Sequence, residues 1–267
     1  MRRRSLPDPP RPLVQVVDAA LPVALFRALR RGVTALGSEG LRRTYQTTFW
    51  FDLSREPAAL PELAVRALAA RFRATGARGV EWWLSRMWTH DVRVDFHRDR
   101  DERLALAGGP DRHPRVSSVL FLNAVQGGAL AVTAQRPDPG NPALVPLPLE
   151  ADLVAPRPNR LVLFPGRLTH GVLDARNQVP AGRLHTRGEL RLTLVMNGWA
   201  RRPTDVPTFQ EGTAYRDLGV RRRRAHRPSA ADARARRPRS DPPGTSSRRH
   251  RKRVGRPRER PAPGAPQ

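Results

Sequence analysis

The sequence predicts a mainly β protein flanked by α-helices. Short apolar runs at 117–122, 129–132, 161–164 and 191–199 are each bounded by Gly, Pro or Asn, the signature of buried strands. Val92, Val94 and Phe96 alternate with Asp91, Arg93 and Asp95, a two-residue period. Apolar residues at helical spacing fall in the N-terminal third, at 21–36 and 60–72.

Taken in chain order, the first helix places Leu21, Ala24, Leu25, Leu29 and Val33 on one side, and Gly37, Ser38 and Gly40 stop it. A strand is expected at 44–51. The second helix spans 60–72, has its start marked by the stretch from Pro57 to Pro61, and turns Leu63, Val65, Leu68 and Phe72 mostly inward. The aromatic-rich stretch 81–88 is readable as helix or strand. Its Trp82, Trp83 and Trp88 suit a core, because aromatic rings bury large area. Trp82 is also a candidate, with Asn123, for the wall of a substrate pocket. The 136–141 segment is a turn-rich connection with the makings of a lid. Pro146 and Pro148 make 144–149 an edge strand or loop.

His97, Asp99 and His170 carry the chemistry. Side chains at i and i+2 of an extended segment point the same way, so His97 and Asp99 face one cavity with Arg98 turned aside. His170 follows the 161–164 run and a Pro-Gly turn, and reaches the same place from a distant strand. Two imidazoles and one carboxylate hold a non-haem Fe(II) on one face and leave positions open for substrate and O2. The remaining histidines, at 90, 113, 185, 226 and 250, lack comparable context and read as surface or linker residues. Arg191 and Thr193 share a face of the last strand. A guanidinium fork beside a hydroxyl suits a small dicarboxylate.

The stretch 91–199 resembles the catalytic core of the 2-oxoglutarate/Fe(II)-dependent dioxygenases. The resemblance rests on His97-x-Asp99, the Leu-Phe-Leu-Asn run ending at Asn123, Gly127-Gly128, Phe164-Pro165 before His170-Gly171, and Arg191-x-Thr193. It implies a double-stranded β-helix, a jelly-roll of two facing sheets, with helices packed on the larger one. It also implies that His97, Asp99 and His170 ligate Fe(II), that 2-oxoglutarate chelates the metal and is fixed by Arg191 with Thr193, and that O2 is the co-substrate. Hydroxylation is the usual outcome, and retention of Asp99 argues against halogenation. Two departures stand out. Ala129 occupies a position that is often acidic, and Arg191 follows His170 by 21 residues, farther than is usual. An inserted loop at 177–188 accounts for the excess and leaves Arg183 and Arg187 as lesser candidates for the co-substrate arginine.

The chain of 267 residues has a formal net charge of +25, no cysteine and 28 prolines. The absence of cysteine excludes disulfides and thiolate metal sites. Residues 221–267 hold 17 Lys or Arg against three Asp or Glu and almost no large apolar side chain. Such a segment cannot offset its chain entropy by burial. The expected organisation is a flexible extension at 1–20, the dioxygenase domain at 21–215 and a disordered basic tail at 216–267. Its charge attracts polyanions, including nucleic acid, without specificity. One lysine, Lys252, against 48 arginines marks a compositional bias that accounts for much of that charge. No apolar run reaches the roughly 18 residues of a membrane span, and Pro7 to Pro10 interrupt any signal-like start, so a cytoplasmic enzyme is expected. The leading expectation is a hydroxylase acting on a small molecule or an amino-acid or peptide side chain. Behind it stand an oxidative nucleic-acid demethylase, disfavoured by Asn197 where that branch has a second arginine, and a non-catalytic jelly-roll binding protein.

Overall fold

The computed structural model describes residues 12–43, 47–138, 140, 144 and 146–220. Among the described residues, nine strands form two antiparallel sheets. The larger contains β1 (Gln15–Val17), β2 (Phe49–Asp52), β3 (Gly79–Trp88), β4 (Val116–Phe121), β7 (Arg160–Phe164) and β9 (Leu190–Trp199), in the order β1-β7-β4-β9-β3-β2. The smaller contains β5 (Leu130–Thr133), β6 (Asp152–Val154) and β8 (Thr169–Val172), in the order β6-β5-β8. An isolated bridge between His97 and His170 adds one residue pair beside β8.

Strand parity sorts each side chain of the large sheet into one of two cores. In β9, Leu194 and Met196 face the helices, whereas Val195 packs with Val119, Phe121, Val162 and Phe164 against Leu130, Val132 and Val154 of the small sheet. The second cluster is the filling between the sheets, and Arg191, Thr193 and Asn197 share the Val195 parity. The helix-side core is larger and takes Phe26, Leu29 and Val33 from α1 (Val23–Ala35) with Val65 from α3 (Leu60–Ala67) and Phe72 from α4 (Ala69–Ala74).

The helices differ from expectation in detail. Gly37, with φ of 67°, ends α1, but the chain then turns into α2 (Gly37–Arg43) rather than leaving helix. The run 60–72 is broken at Leu68 (φ −98°, ψ 3°), which separates α3 from α4. Both halves keep their apolar face on the same core, so the periodicity survives the break. The short α5 (Glu102–Leu106) is capped by the Asp101 carboxylate, which accepts from the Leu104 N–H at 3.2 Å.

The stretch 81–88 is strand. The segment 91–99 is not: Val92 and Phe96 are buried as the alternation requires, but its only bridge is at His97. Hydrophobic alternation fixed which side chains go inward, while a ladder needs a neighbouring strand that 91–96 lacks. Residues 44–46 of the expected strand at 44–51 lie outside the described residues, and β2 is its remainder. Among the described residues of 144–149 there is no strand, and β6 supplies the small sheet's edge. Parts of the 136–141 connection and all of 221–267 lie outside the described residues.

Both domain boundaries shift. Gln15–Val17, placed in a flexible extension by composition, pairs with β7 from Gln15↔Leu163 to Val17↔Leu161. At the other end, a 3-10 turn at Arg216–Leu218 buries Leu218 completely, so the fold runs past residue 215. No helix among the described residues is long and apolar enough to cross a membrane.

Trp82 is a correction to the pocket assignment. It is 0% exposed, on the helix side of β3, stacked 4.9 Å from Phe49 and flanked by Phe209 and Tyr215. It is therefore a core residue, separated by the sheet from the face that carries Arg191. Trp82→Ala is expected to cost about 3–5 kcal/mol of stability, measured by chemical denaturation. Substrate KM should stay unchanged in whatever fraction of the variant remains folded.

Candidate metal centre

The chain brings His97, Asp99 and His170 together, with one ligand atom of each lying within 4.8 Å of the others. Backbone pairing does the positioning. The His97 N–H donates to the His170 carbonyl (2.9 Å) and the His170 N–H donates back (2.8 Å), the reciprocal pattern of a hydrogen-bonded antiparallel pair. That pair sets the two rings side by side, with centroids 4.5 Å apart. Gly171 makes room beside them, since a Cβ there would meet the Phe96 ring at 2.8 Å.

Each imidazole is held by its far nitrogen. His97 Nδ1 donates to the Asp95 carbonyl at 2.8 Å and His170 Nδ1 to the Leu168 carbonyl at 3.3 Å. A carbonyl only accepts, so Nδ1 is the donor in both rings and Nε2 is the nitrogen turned toward Asp99. Those Nε2 atoms stand 3.7 Å (His97) and 3.6 Å (His170) from the Asp99 carboxylate oxygens. These distances are too long for hydrogen bonds and leave room for an ion between. The ring orientations are thus the ones metal ligation requires.

Asp99 is oriented by two adjacent strands. Ser117 Oγ donates to its Oδ2 at 2.6 Å, and the Asn197 side chain also bonds it. Ser117 and Asn197 are register partners across β4 and β9. Burial of the Asp99 carboxyl raises its pKa, but the facing His170 and His97 rings and these two hydrogen bonds outweigh burial and hold it below the usual carboxylate range. Burial pushes His170 down, against the attraction of Asp99. Near neutral pH Asp99 is therefore the carboxylate and His170 the neutral imidazole. The His170 and Asp99 side chains are each 10% exposed, against 45% for His97, so the centre opens to solvent on the His97 side.

Arg191 lies buried on the inward face of β9. Its Nε donates to the Gly128 carbonyl at 3.0 Å, and its guanidinium stands 4.9 Å from the Phe121 ring centroid. One of its terminal nitrogens, Nη2, is buried without a partner, as is the Thr193 hydroxyl two residues on. Burial pushes the Arg191 guanidinium down to about 10, which still leaves it cationic at neutral pH. A buried cation with no carboxylate partner among the described residues is costly unless an anion arrives. The Gly127-Gly128 pair explains itself here. Both residues have positive φ, and a Cβ on Gly127 would meet the Ala175 carbonyl oxygen at 2.4 Å. Arg183 and Arg187 are exposed in the irregular 177–188 segment, so burial separates Arg191 from them.

Asn123 is a second correction. Its amide donates to the Leu190 carbonyl (2.7 Å) and accepts from the Leu192 N–H (2.9 Å). Both ends of the side chain are spent on the backbone of β9, so it extends the ladder instead of lining a pocket.

Three residues beside the centre escaped sequence reasoning. Ser117 and Asn197 were readable only as strand residues, although Asn197 has the parity of Arg191 and Thr193. His113, assigned to the surface, donates from Nδ1 to the Asp99 carbonyl at 2.6 Å. Glu81 is a fourth neighbour. Burial, and secondarily the Asp99 charge, raise its carboxyl to about 7 despite hydrogen bonds from Thr48 and Trp199. A carboxyl whose pKa is higher folded than unfolded stabilises the fold most below its unfolded value of 4.5, and that contribution is lost as pH rises through about 7. Glu81→Gln should therefore gain stability over the parent at pH 8 by about 1–3 kcal/mol, and gain little at pH 4. Parallel denaturation curves at the two pH values check this.

No protein-family model matches the chain, and no curated protein matches it. Solved structures do. The chain is similar to a prolyl-4-hydroxylase from Pseudomonas putida at 22% identity, over 72% of this chain and 90% of that one, with a TM-score of 0.43. It is similar to AviO1 from Streptomyces viridochromogenes Tue57 at 19% identity, over 74% and 94%, with a TM-score of 0.45. It is also similar to the non-heme alpha-ketoglutarate-dependent epimerase SnoN from nogalamycin biosynthesis at 14% identity, over 71% and 77%, with a TM-score of 0.40.

Proposed function

We propose that this protein is an Fe(II)- and 2-oxoglutarate-dependent oxygenase built on a double-stranded β-helix, and that it hydroxylates a small molecule or an amino-acid or peptide side chain. The observation that carries this reading is the convergence of two imidazole Nε2 atoms and one ionised carboxylate at a half-open site. Two nitrogen donors and one oxygen donor are a set that suits ferrous iron and would leave positions open on the metal. The orphaned Nη2 of Arg191 and hydroxyl of Thr193 fit the distal carboxylate of 2-oxoglutarate, which would satisfy both buried donors at once.

Iron held there by His97, Asp99 and His170, with 2-oxoglutarate and O2, would supply oxidising power sufficient for an unactivated C–H bond, with succinate and CO2 as the co-products. The protein's own residues orient and protect. Asp95 and Leu168 carbonyls fix the imidazole orientations, and Ser117 and Asn197 hold the Asp99 carboxylate. Phe164, 4.9 Å from the His170 ring, screens that ligand from water. The opening beside His97 is the side from which substrate reaches the site.

The test is succinate release by the purified, iron-loaded protein in the presence of fractionated cell metabolites and peptides. Iron-dependent succinate formation, coupled or uncoupled to substrate, supports the reading. No succinate from any fraction, with iron demonstrably bound, contradicts it.

A further inference from the structure

A half-open cavity of about 580 Å³ lies at one end of the large sheet, with His113, a hydrogen-bond partner of the Asp99 carbonyl, in its wall. Three chain segments line it: 111–115 ahead of β4, 165–167 between β7 and β8, and 199–201 at the end of β9. Their convergence follows from register, because Val116 pairs with Gly198 and Ser117 with Phe164. The first two segments touch closely. A Cβ on Gly166 would meet the Pro114 carbonyl oxygen at 2.3 Å, so only glycine lets these walls meet. The cavity is tied to the metal centre at two points. His113 in its wall bonds the Asp99 carbonyl, and Arg167 precedes His170 by three residues.

The lining is cationic. Two of its charges are already compensated, Arg112 by the buried Asp101 and Asp111 by Arg100 at 3.3 Å. Arg115, Arg167 and Arg201 are exposed and have no carboxylate within 4.0 Å among the described residues. Three uncompensated guanidinium groups around one ligand-sized cavity form a site for an oxyanion with several oxygens.

We infer that this cleft is an anion subsite for the prime substrate, which is a small molecule carrying a phosphate or a cluster of carboxylates. Its role as a substrate subsite rests on the oxygenase reading; its capacity to bind anions does not. The cleft is half-open and of a small ligand's size, which favours a small molecule over a nucleic-acid strand, since a strand needs an extended basic track.

The experiment is calorimetric titration of the full-length, metal-free protein with inorganic pyrophosphate and with citrate at 150 mM salt. Arg115→Gln/Arg167→Gln/Arg201→Gln should weaken the tighter of the two by at least tenfold. Arg27→Gln/Arg30→Gln/Arg31→Gln removes the same charge from the exposed face of α1 and should change it by less than twofold. The tighter ligand tells phosphate from carboxylate. Equal binding by the parent and the cleft variant, or equal loss in both variants, overturns the inference. So does a single-stranded oligonucleotide whose binding needs the three arginines while neither small anion's does. Should the cleft variant not fold, phenylglyoxal labelling of the parent read by mass spectrometry decides. The bound anion should protect Arg115, Arg167 and Arg201 selectively, and uniform labelling contradicts the subsite. Because iron is absent throughout, failure here leaves the oxygenase reading untouched, and failure of iron binding leaves the subsite untouched.

Discussion

His170→Ala is expected to eliminate tight Fe(II) binding and to reduce 2-oxoglutarate turnover at least a thousandfold. His170 is the ligand that the fold holds most firmly. It lies in β8, its backbone is bonded in both directions to His97, and its ring is packed against Phe164. Removing the ring leaves one exposed imidazole and a buried carboxylate, a pair too sparse to retain ferrous iron against water. The backbone pair survives the substitution, because both of its hydrogen bonds are main-chain. The variant should therefore keep its circular dichroism spectrum and lose metal, and anaerobic equilibrium dialysis with Fe(II) measures the second. A variant that binds one iron per chain and turns over as the parent does would remove His170 from the ligand set.

Arg191→Ala is expected to raise the KM for 2-oxoglutarate by about 100-fold or more, in line with about 3 kcal/mol for a charge-assisted pair, while Fe(II) affinity changes less than threefold. The argument is the isolation of this guanidinium. It is buried, its only hydrogen bond among the described residues is to the Gly128 carbonyl, and one terminal nitrogen is unsatisfied. A group in that condition gains most from an incoming carboxylate. Binding that supplies it should also stabilise the fold, so 2-oxoglutarate should raise the Tm of the metal-loaded parent and leave that of Arg191→Ala unmoved. Arg183→Ala and Arg187→Ala should leave KM within twofold, since both side chains are exposed. If either of them raises KM and Arg191→Ala does not, the co-substrate arginine is misassigned.

The parts of this site that could be read from the sequence are those that depend on local period. The i, i+2 relation of His97 to Asp99, and of Arg191 to Thr193, needs only an extended backbone. Which face such a pair joins depends on neighbouring strands, and there local reasoning fails. Trp82 suits a core better than a pocket wall by its ring alone, but only when β3 is set between β2 and β9 does its parity send it to the helices. Asn123 looks like a polar group at the end of a strand, and only the course of β9 beside it reveals two backbone partners. Ser117, Asn197 and His113 are scattered along the chain, and nothing local marks them as neighbours of Asp99. Segment 91–96 shows the reverse case, because its alternation set burial correctly although no ladder forms there. Composition misplaced both ends of the domain, since Gln15–Val17 and Arg216–Leu218 are held by tertiary pairing and burial in otherwise polar surroundings.

The most direct test is a crystal grown anaerobically with Fe(II) and measured at the iron absorption edge. The account predicts one anomalous peak, bonded to His97 Nε2, His170 Nε2 and an Asp99 carboxylate oxygen. A protein that crystallises with iron bound elsewhere, or with these three side chains free of metal at saturating Fe(II), would contradict it.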